Sequence, residues 1–316
     1  MSAGPSSSST PAISTEDDPV SKHQQTTTAA DVLGPYLADQ CVTVLTISAE
    51  LQRAFDADRA RELPAERIHQ ARVGCRRLRS TLRVFDDFFL AEQAESLSDE
   101  LRWFGLRLGA VRDLDVLGER LTAAVDRMED DLVLHQAAQE LADQLLFRRR
   151  IALAALRDAL HDERYAELLQ QLEKWKDQPA WTARADKPAT KIKKYVKRAG
   201  YRLDRRLRHA ADAINADDPE TDALIHSARK AAKRHRYAVE ASASVFGSAA
   251  DRTIARRKRL QDQLGDYQDS RLASILLRDL GGIPGRNGFT FGILYDQELQ
   301  HRRHLRKKIA KRAPTS

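Results

Sequence analysis

The chain of 316 residues predicts an all-α fold built from two similar helical bundles, and three observations carry that prediction. From about Asp31 onward apolar residues recur at intervals of three and four, the period of a half-buried helix, and no alternating run suggests a strand. Aromatics make up only 6% of a chain that is 42% hydrophobic, a balance that favours helices over sheets. A distinctive basic motif also occurs twice at a nearly constant offset, which marks an internal repeat.

The elements follow in order. Residues 1–30 are rich in Ser, Thr and Pro and are predicted to form a disordered tail. Helices are then predicted over 31–57, 64–90, 92–126, 130–160, 162–177, 187–214, 219–246, 249–280 and 290–312. Breaks fall at Pro64, at the Pro179 to Pro188 stretch, at Asp217-Asp218-Pro219 and at Gly281-Gly282-Ile283-Pro284-Gly285. Pro64 and Pro219 suit first-turn helix positions, where the missing N–H costs nothing. The first helical half is placed at 31–180 and the second at 181–312.

Composition narrows the function. Lys and Arg number 53 against 46 Asp and Glu, a net charge of +7 that favours an anionic partner. Cys41 and Cys75 are the two cysteines, too few for a disulfide framework or a four-cysteine zinc site, so a reducing compartment is expected. Residues 1–30 lack a basic start followed by an apolar stretch, and no apolar run approaches ~18 residues. The expectation is a soluble, cytoplasmic protein with no membrane partner.

The repeat is the most informative feature. Residues 69–79 read HQARVGCRRLR and 226–236 read HSARKAAKRHR. His69, Ala71, Arg72, Arg77 and Arg79 recur as His226, Ala228, Arg229, Arg234 and Arg236, and Arg76 becomes Lys233, all at an offset of 157. Leu108-Gly109 with Asp113 recurs as Leu264-Gly265 with Asp269 at an offset of 156.

On a helix, Ile68, Ala71, Cys75, Leu78, Leu82 and Phe85 make one apolar stripe, and His69, Arg72, Arg76, Arg79 and Arg83 make a cationic stripe beside it. In the second copy Ile225, Ala228, Ala232, His235 and Val239 face inward beside His226, Arg229, Lys233 and Arg236. Solvated helix faces usually mix signs to gain i,i+4 pairing, yet residues 67–83 hold six Arg and no acid. Residues 191–208 hold nine Lys or Arg, among them Lys194, Arg198, Arg202 and Arg205, against Asp204 alone. Arg148 to Arg150, and Arg302, Arg303, Arg306, Lys307 and Lys308, are further basic clusters that would extend a shared channel. Arginine's planar fork suits bidentate contact with phosphate oxygens.

The pattern His-x-x-Arg-x-x-x-Arg-Arg-x-Arg resembles the signature of the CHAD family, the conserved histidine α-helical domain. His69, Arg72, Arg76, Arg77 and Arg79 match it in the first copy, and His226, Arg229, Lys233, Arg234, Arg236 and Tyr237 in the second. Leu108-Gly109 with Arg112-Asp113 and Leu264-Gly265 with Asp269 resemble the family's Leu-Gly…Asp elements, with Gln268 where the first copy has Arg112. The resemblance implies one unit of two helical bundles, whose His/Arg helices face a shared basic surface that binds inorganic polyphosphate, at polyphosphate granules. The Glu-x-Glu-x-Lys motif of the CYTH domain that accompanies many relatives is not found, so the chain reads as a stand-alone binding module.

Competing readings are weaker. No metal is expected, because His69 and His226 lack a second His or Cys at ligand spacing and His301 with His304 lies in a cationic tail. No cofactor is expected either, since P-loop, dinucleotide and H-E-x-x-H motifs are missing. Asp113, Asp115 and Asp269 are expected to orient arginines rather than to act as catalytic carboxylates. A nucleic-acid binder is the first alternative, or else weaker nucleic-acid binding beside polyphosphate, with Tyr195, Tyr201 and Tyr237 as the stacking candidates. A phosphohydrolase or phosphotransfer enzyme using His69 or His226 is the second, and the expectation is that the protein is not an enzyme.

Overall fold

A computed structural model describes residues 1, 27–59, 64–134, 136–285 and 287–314. Its helices are α1 (Ala29–Asp56), α2 (Ala65–Val84), α3 (Ala91–Val125), α4 (Ala137–Leu160), α5 (Glu163–Asp177), α6 (Ile192–Asn215), α7 (Thr221–Ala241), α8 (Ala243–Phe246), α9 (Ser248–Gly281) and α10 (Gly288–Ala310). The all-α prediction holds: among the described residues there are two isolated β-bridges, Thr28 to Pro188 and Phe89 to Trp181, and no strand.

Local chemistry sets the helix ends. At the start of α1, Asp31 N donates to Thr28 Oγ1 at 3.1 Å and Thr28 N donates to Asp31 Oδ2 at 2.8 Å, a capping box that satisfies two free N–H groups. The helix therefore begins at Ala29, inside the stretch expected to be tail, and Ala29 is fully buried. The rest of that tail, residues 2–26, lies outside the described residues. By length and composition α1 is apolar enough to cross a bilayer, contrary to the expectation from run length. Its stripe of Leu33, Leu37, Cys41, Val44, Ile47 and Leu51 is buried against the core instead.

Other expected boundaries shift, among them the start of α6, which begins at Ile192 after a 3-10 turn over Ala189–Lys191 rather than at 187. Helix α2 stops at Val84, because Phe85, Phe88 and Phe89 turn inward, Phe88 meeting Tyr195 at 4.9 Å and Phe89 stacking on Trp181 at 4.9 Å between ring centroids. Residues 130–132 form a separate 3-10 turn, so α4 starts at Ala137 rather than 130. The predicted 219–246 helix breaks at Ser242, whose hydroxyl donates to the Ala238 carbonyl at 2.6 Å. Gly247 then takes φ 54°, a left-handed conformation that glycine adopts without a Cβ clash, and α9 begins. Pro64 directly precedes α2, and Pro219 lies in the turn before α7 rather than in its first turn.

In both halves consecutive long helices pack on one another: α1 on α2, α2 on α3 and α3 on α4, then α6 on α7, α7 on α9 and α9 on α10. The main core joins α1 to α5 with Tyr195 and Val196 of α6 and Ala238 and Val239 of α7. A second core lies among α6, α7, α9 and α10, and a third joins Leu121 of α3 and Leu141 of α4 to Leu277 and Phe291 of α9 and α10. Apolar burial is thus continuous across residue 180, and a fragment ending there would expose a face of its own core.

Helices α2 and α7, which carry the two copies of the basic motif, lie against each other. Arg77 Nε donates to Glu240 Oε2 at 3.2 Å, and Arg76 Nε donates to the Tyr237 hydroxyl at 2.9 Å, across this contact.

Candidate functional site

The apolar stripes of α2 and α7 are buried as their spacing requires, so the cationic stripes beside them have a fixed direction. Both open into one cavity of about 310 Å³ closed on its third side by α3. Arg72, Arg76, Arg79 and Arg83 line it from α2, Arg102 from α3, and His226, Arg229, Lys230, Lys233 and Arg234 from α7. A neighbouring groove of about 370 Å³ runs between α6 and α7, lined by Arg198, Arg202, Arg205 and Arg206 together with Arg83, Lys230 and Arg234. Because those last three border both spaces, the two form one cationic track, and no Asp or Glu lines either.

The Leu-Gly…Asp elements explain how the arginines are held. Arg72 forks onto Asp113, Nη1 to Oδ1 at 2.7 Å and Nη2 to Oδ2 at 3.4 Å. Its guanidinium lies flat against Gly109, where a Cβ would meet Arg72 Nε at 3.1 Å. In the second copy Arg229 passes Gly265 with more room, 3.8 Å from Nη2 to the place of a Cβ. Arg229 is mostly desolvated, which lowers its basicity, while the nearby Asp269 raises it, and its Nε has no partner. Burial raises the Asp269 carboxyl in turn, while Arg229 and Arg120 lower it.

Crowding shows in the protonation of the cations. Burial, then Arg83, Arg79, Arg202 and Arg206, push Arg234 down to about 10. Lys233 is pushed down to about 6 by burial and by Arg76, Arg229 and Arg72. His226 is lowered by burial, then by Lys230, Arg229 and Lys233, and its Nδ1 is buried without a partner. His69 is lowered by burial, then by Arg112, Arg76 and Arg72, against the opposing pull of Glu66. The Arg112/Gln268 difference has a local meaning: Arg112 faces His69 and disfavours its cation, whereas the neutral Gln268 beside His226 favours it.

The remaining expected site residues lie elsewhere. Arg77 and Arg236 point to the far side of the α2/α7 contact, where both meet Glu240 at 3.2 Å and pack on the buried Tyr237 ring. His69 sits beside the arginines without lining the cavity, and Lys194 covers the Tyr195 ring, 4.7 Å from its centroid. His235 is buried and accepts from Arg257 Nε at Nδ1, 3.0 Å, and burial lowers it to about 4. The basic clusters of α4 and α10 do not reach the track. Arg149 pairs with Asp115 at 2.8 Å, and Arg306 and Arg302 turn to Asp222 at 3.2 and 4.0 Å.

Conversely, Arg102, Arg206 and Lys230 line the track without having stood out in the motif. Lys230 follows Arg229 directly, and Arg206 belongs to the 191–208 run, so a helical wheel of each segment would have flagged them. Arg102 is one charge in a mixed-sign stretch and carries no such signal.

Among the described residues no group of three or more His, Cys, Asp or Glu is placed to hold a metal ion. Tyr195 and Tyr237 are buried, and Tyr201, 62% exposed, lies outside the track lining.

Comparisons with known proteins agree with this architecture. The curated relatives include the uncharacterized proteins MT2285 and Rv2226 of Mycobacterium tuberculosis (strains CDC 1551 / Oshkosh and ATCC 25618 / H37Rv), each 30% identical over 269 residues. Those matches cover 83% of this chain and 50% of each relative, so the chain spans about half the length of the curated relatives it matches. Among solved structures, PptA from Streptomyces chartreusis matches with TM-score 0.72 and 21% identity over 91% of this chain and 99% of its own, a likeness of fold. The crystal structure of the CHAD domain from the plant Ricinus communis matches with TM-score 0.66 and 25% identity, covering 92% of this chain and 95% of that one. The CHAD domain family profile matches residues 46–278, which take in both basic motifs and both Leu-Gly…Asp elements, and the chain belongs to the CHAD domain family.

Proposed function

We propose that the protein binds inorganic polyphosphate along the track between α2, α7 and α6, in the cytoplasm and at polyphosphate granules, and that it does so without turning the polymer over. The observation that carries this reading is the lining: nine Lys and Arg side chains around one cavity with no carboxylate among them. An ordinary structural cluster of that kind would be interleaved with acids, since like charges at short range repel in a partly desolvated site. A linear polyanion with a charge on each unit supplies the missing counter-charge all along the groove. From His69 to Arg83 the stripe spans 14 residues, about 21 Å at ~1.5 Å per residue, longer than one phosphate covers.

Weaker binding of nucleic acid would use the same phosphate-directed cations. Its bases, however, would find no exposed aromatic ring in the track, which favours polyphosphate as the preferred partner. A hydrolytic role lacks support in the geometry, because Asp113 is committed to Arg72 and no carboxylate lines the cavity as a base.

The test is charge reversal at the two guanidiniums that sit against the paired glycines. Arg72→Glu with Arg229→Glu is expected to weaken long-chain binding by at least 100-fold in calorimetry while circular dichroism stays helical. Full affinity in a folded double variant would remove the track as the site.

A further inference from the structure

Three of the arginines around Lys233 are held by partners, whereas among the described residues Arg229, Arg234 and Lys233 itself are not. Arg72 has Asp113, Arg76 has the Tyr237 hydroxyl, and Arg79 Nε donates to the Ser98 carbonyl at 3.0 Å. No hydrogen bond or ion pair among the described residues engages the Lys233 amine, which sits half-buried on the cavity wall. Arg72 and Arg76 face it from α2 and Arg229 from its own helix, while Asp113 of α3 is the one carboxylate that acts on it, already forked by Arg72. The other elements packed on α7 direct their charges elsewhere: Arg202 and Arg206 of α6 toward Arg234, Asp269 of α9 toward Arg229, and Tyr36 of α1 toward Glu240. An amine in that position has every reason to be neutral while the cavity is empty, and to become an ammonium once anionic oxygens replace water beside it.

We propose that polyphosphate binding in this cavity is coupled to the uptake of one proton at the Lys233 amine, so that chains are captured more tightly as the pH falls and released as it rises. This rests on the polyphosphate reading above. The proton comes from the buffer and ends on Nζ, and no covalent bond changes. The direction follows from linkage: the empty site holds Lys233 near 6, far below its ordinary 10.5, and a bound polyanion restores it toward the ordinary value. Between those limits one linked proton means about tenfold in affinity per pH unit. The arginines stay charged between pH 7 and 8, Arg234 included at about 10. His226 and His69, both lowered by burial, meet the same polyanion, so the Lys233 variants separate the lysine's proton from any taken up by the imidazoles.

The measurement is calorimetry of the full chain with long-chain polyphosphate, whose inner phosphates stay fully ionised, at pH 7.5 in buffers of different ionisation enthalpy. The wild-type protein is expected to take up about one proton per site and to bind about tenfold more weakly at pH 8 than at pH 7. Lys233→Met, and Lys233→Arg with its permanent charge, are each expected to lose that proton and the pH slope. Tight wild-type binding with no proton uptake, or the same uptake in folded Lys233→Met, would overturn the coupling and leave the polyphosphate reading standing. Absence of wild-type binding at every pH would overturn both.

Discussion

Replacing Lys233 by Met is expected to stabilise the ligand-free protein, an unusual outcome for a site residue. Folding at pH 7 takes an amine that is charged in the unfolded chain, with an ordinary value of 10.5, and holds it neutral near 6. The gap from 10.5 to pH 7, at about 1.36 kcal/mol per pH unit, sets a ceiling of about 5 kcal/mol on the stability forgone. The sign follows from the folded value lying below the unfolded one. The unfolded chain binds the extra proton between about 6 and 10.5, so the penalty is full below 6, shrinks as pH rises and disappears above 10.5. Methionine fills a similar volume with no proton to lose. The gain should therefore fall from about 5 kcal/mol at pH 7 to about 2 kcal/mol at pH 9, both as ceilings because the groove admits water. At roughly 2 °C per kcal/mol for a chain of this size, Tm at pH 7 rises by up to about 10 °C. Differential scanning calorimetry of both proteins at the two pH values measures this. A variant whose Tm is unchanged or lower at pH 7, or whose gain does not shrink at pH 9, would refute the picture of a desolvated, uncompensated amine.

Further expectations concern the arginine seats, chemistry and the polymer. Gly109→Ala puts a Cβ 3.1 Å from Arg72 Nε and should displace the guanidinium, weakening polyphosphate binding several-fold, whereas Gly265→Ala, with 3.8 Å of room, should bind as the wild type does. Calorimetry on the two variants side by side reads the difference. The purified protein should release no phosphate from polyphosphate or nucleoside triphosphates with or without Mg²⁺ or Mn²⁺; phosphate release that disappears in His226→Ala would restore the enzyme reading. Affinity should climb steeply with chain length and fall with added salt, as several contacts act on one polymer. Size-fractionated chains titrated at several salt concentrations test this, and equal affinity for orthophosphate would contradict it.

The helices were legible because their apolar period is strong, and the two motif stripes because like charges at three-and-four spacing demand an external partner. What the sequence hid was tertiary. Arg76 and Arg77 are adjacent in one motif, yet about 100° of helical rotation sends Arg76 to the cavity and Arg77 to Glu240, a partner 163 residues away. The second copy sorts its cations differently: Lys233 and Arg234 line the track, whereas Arg236 turns to Glu240. The basic turns of α4 and α10 carry the same charge signal, yet Asp115 holds Arg149 and Asp222 holds Arg302 and Arg306. Arg102 was hidden for the opposite reason: only the packing of α3 on α2 brings it to the cavity. The protonation of Lys233 depends on three helices at once and has no one-dimensional signal.

Competition at fixed salt tests the polyphosphate assignment most directly. Protein loaded with labelled long-chain polyphosphate is challenged with an excess of double-stranded DNA, single-stranded RNA or orthophosphate, each matched in total phosphate, and the bound label is measured. Retention of polyphosphate against all three is the expected result, because the track offers dense cations and no exposed ring for base stacking. Displacement by RNA or DNA at equal phosphate would contradict it and identify the track as a nucleic-acid interface.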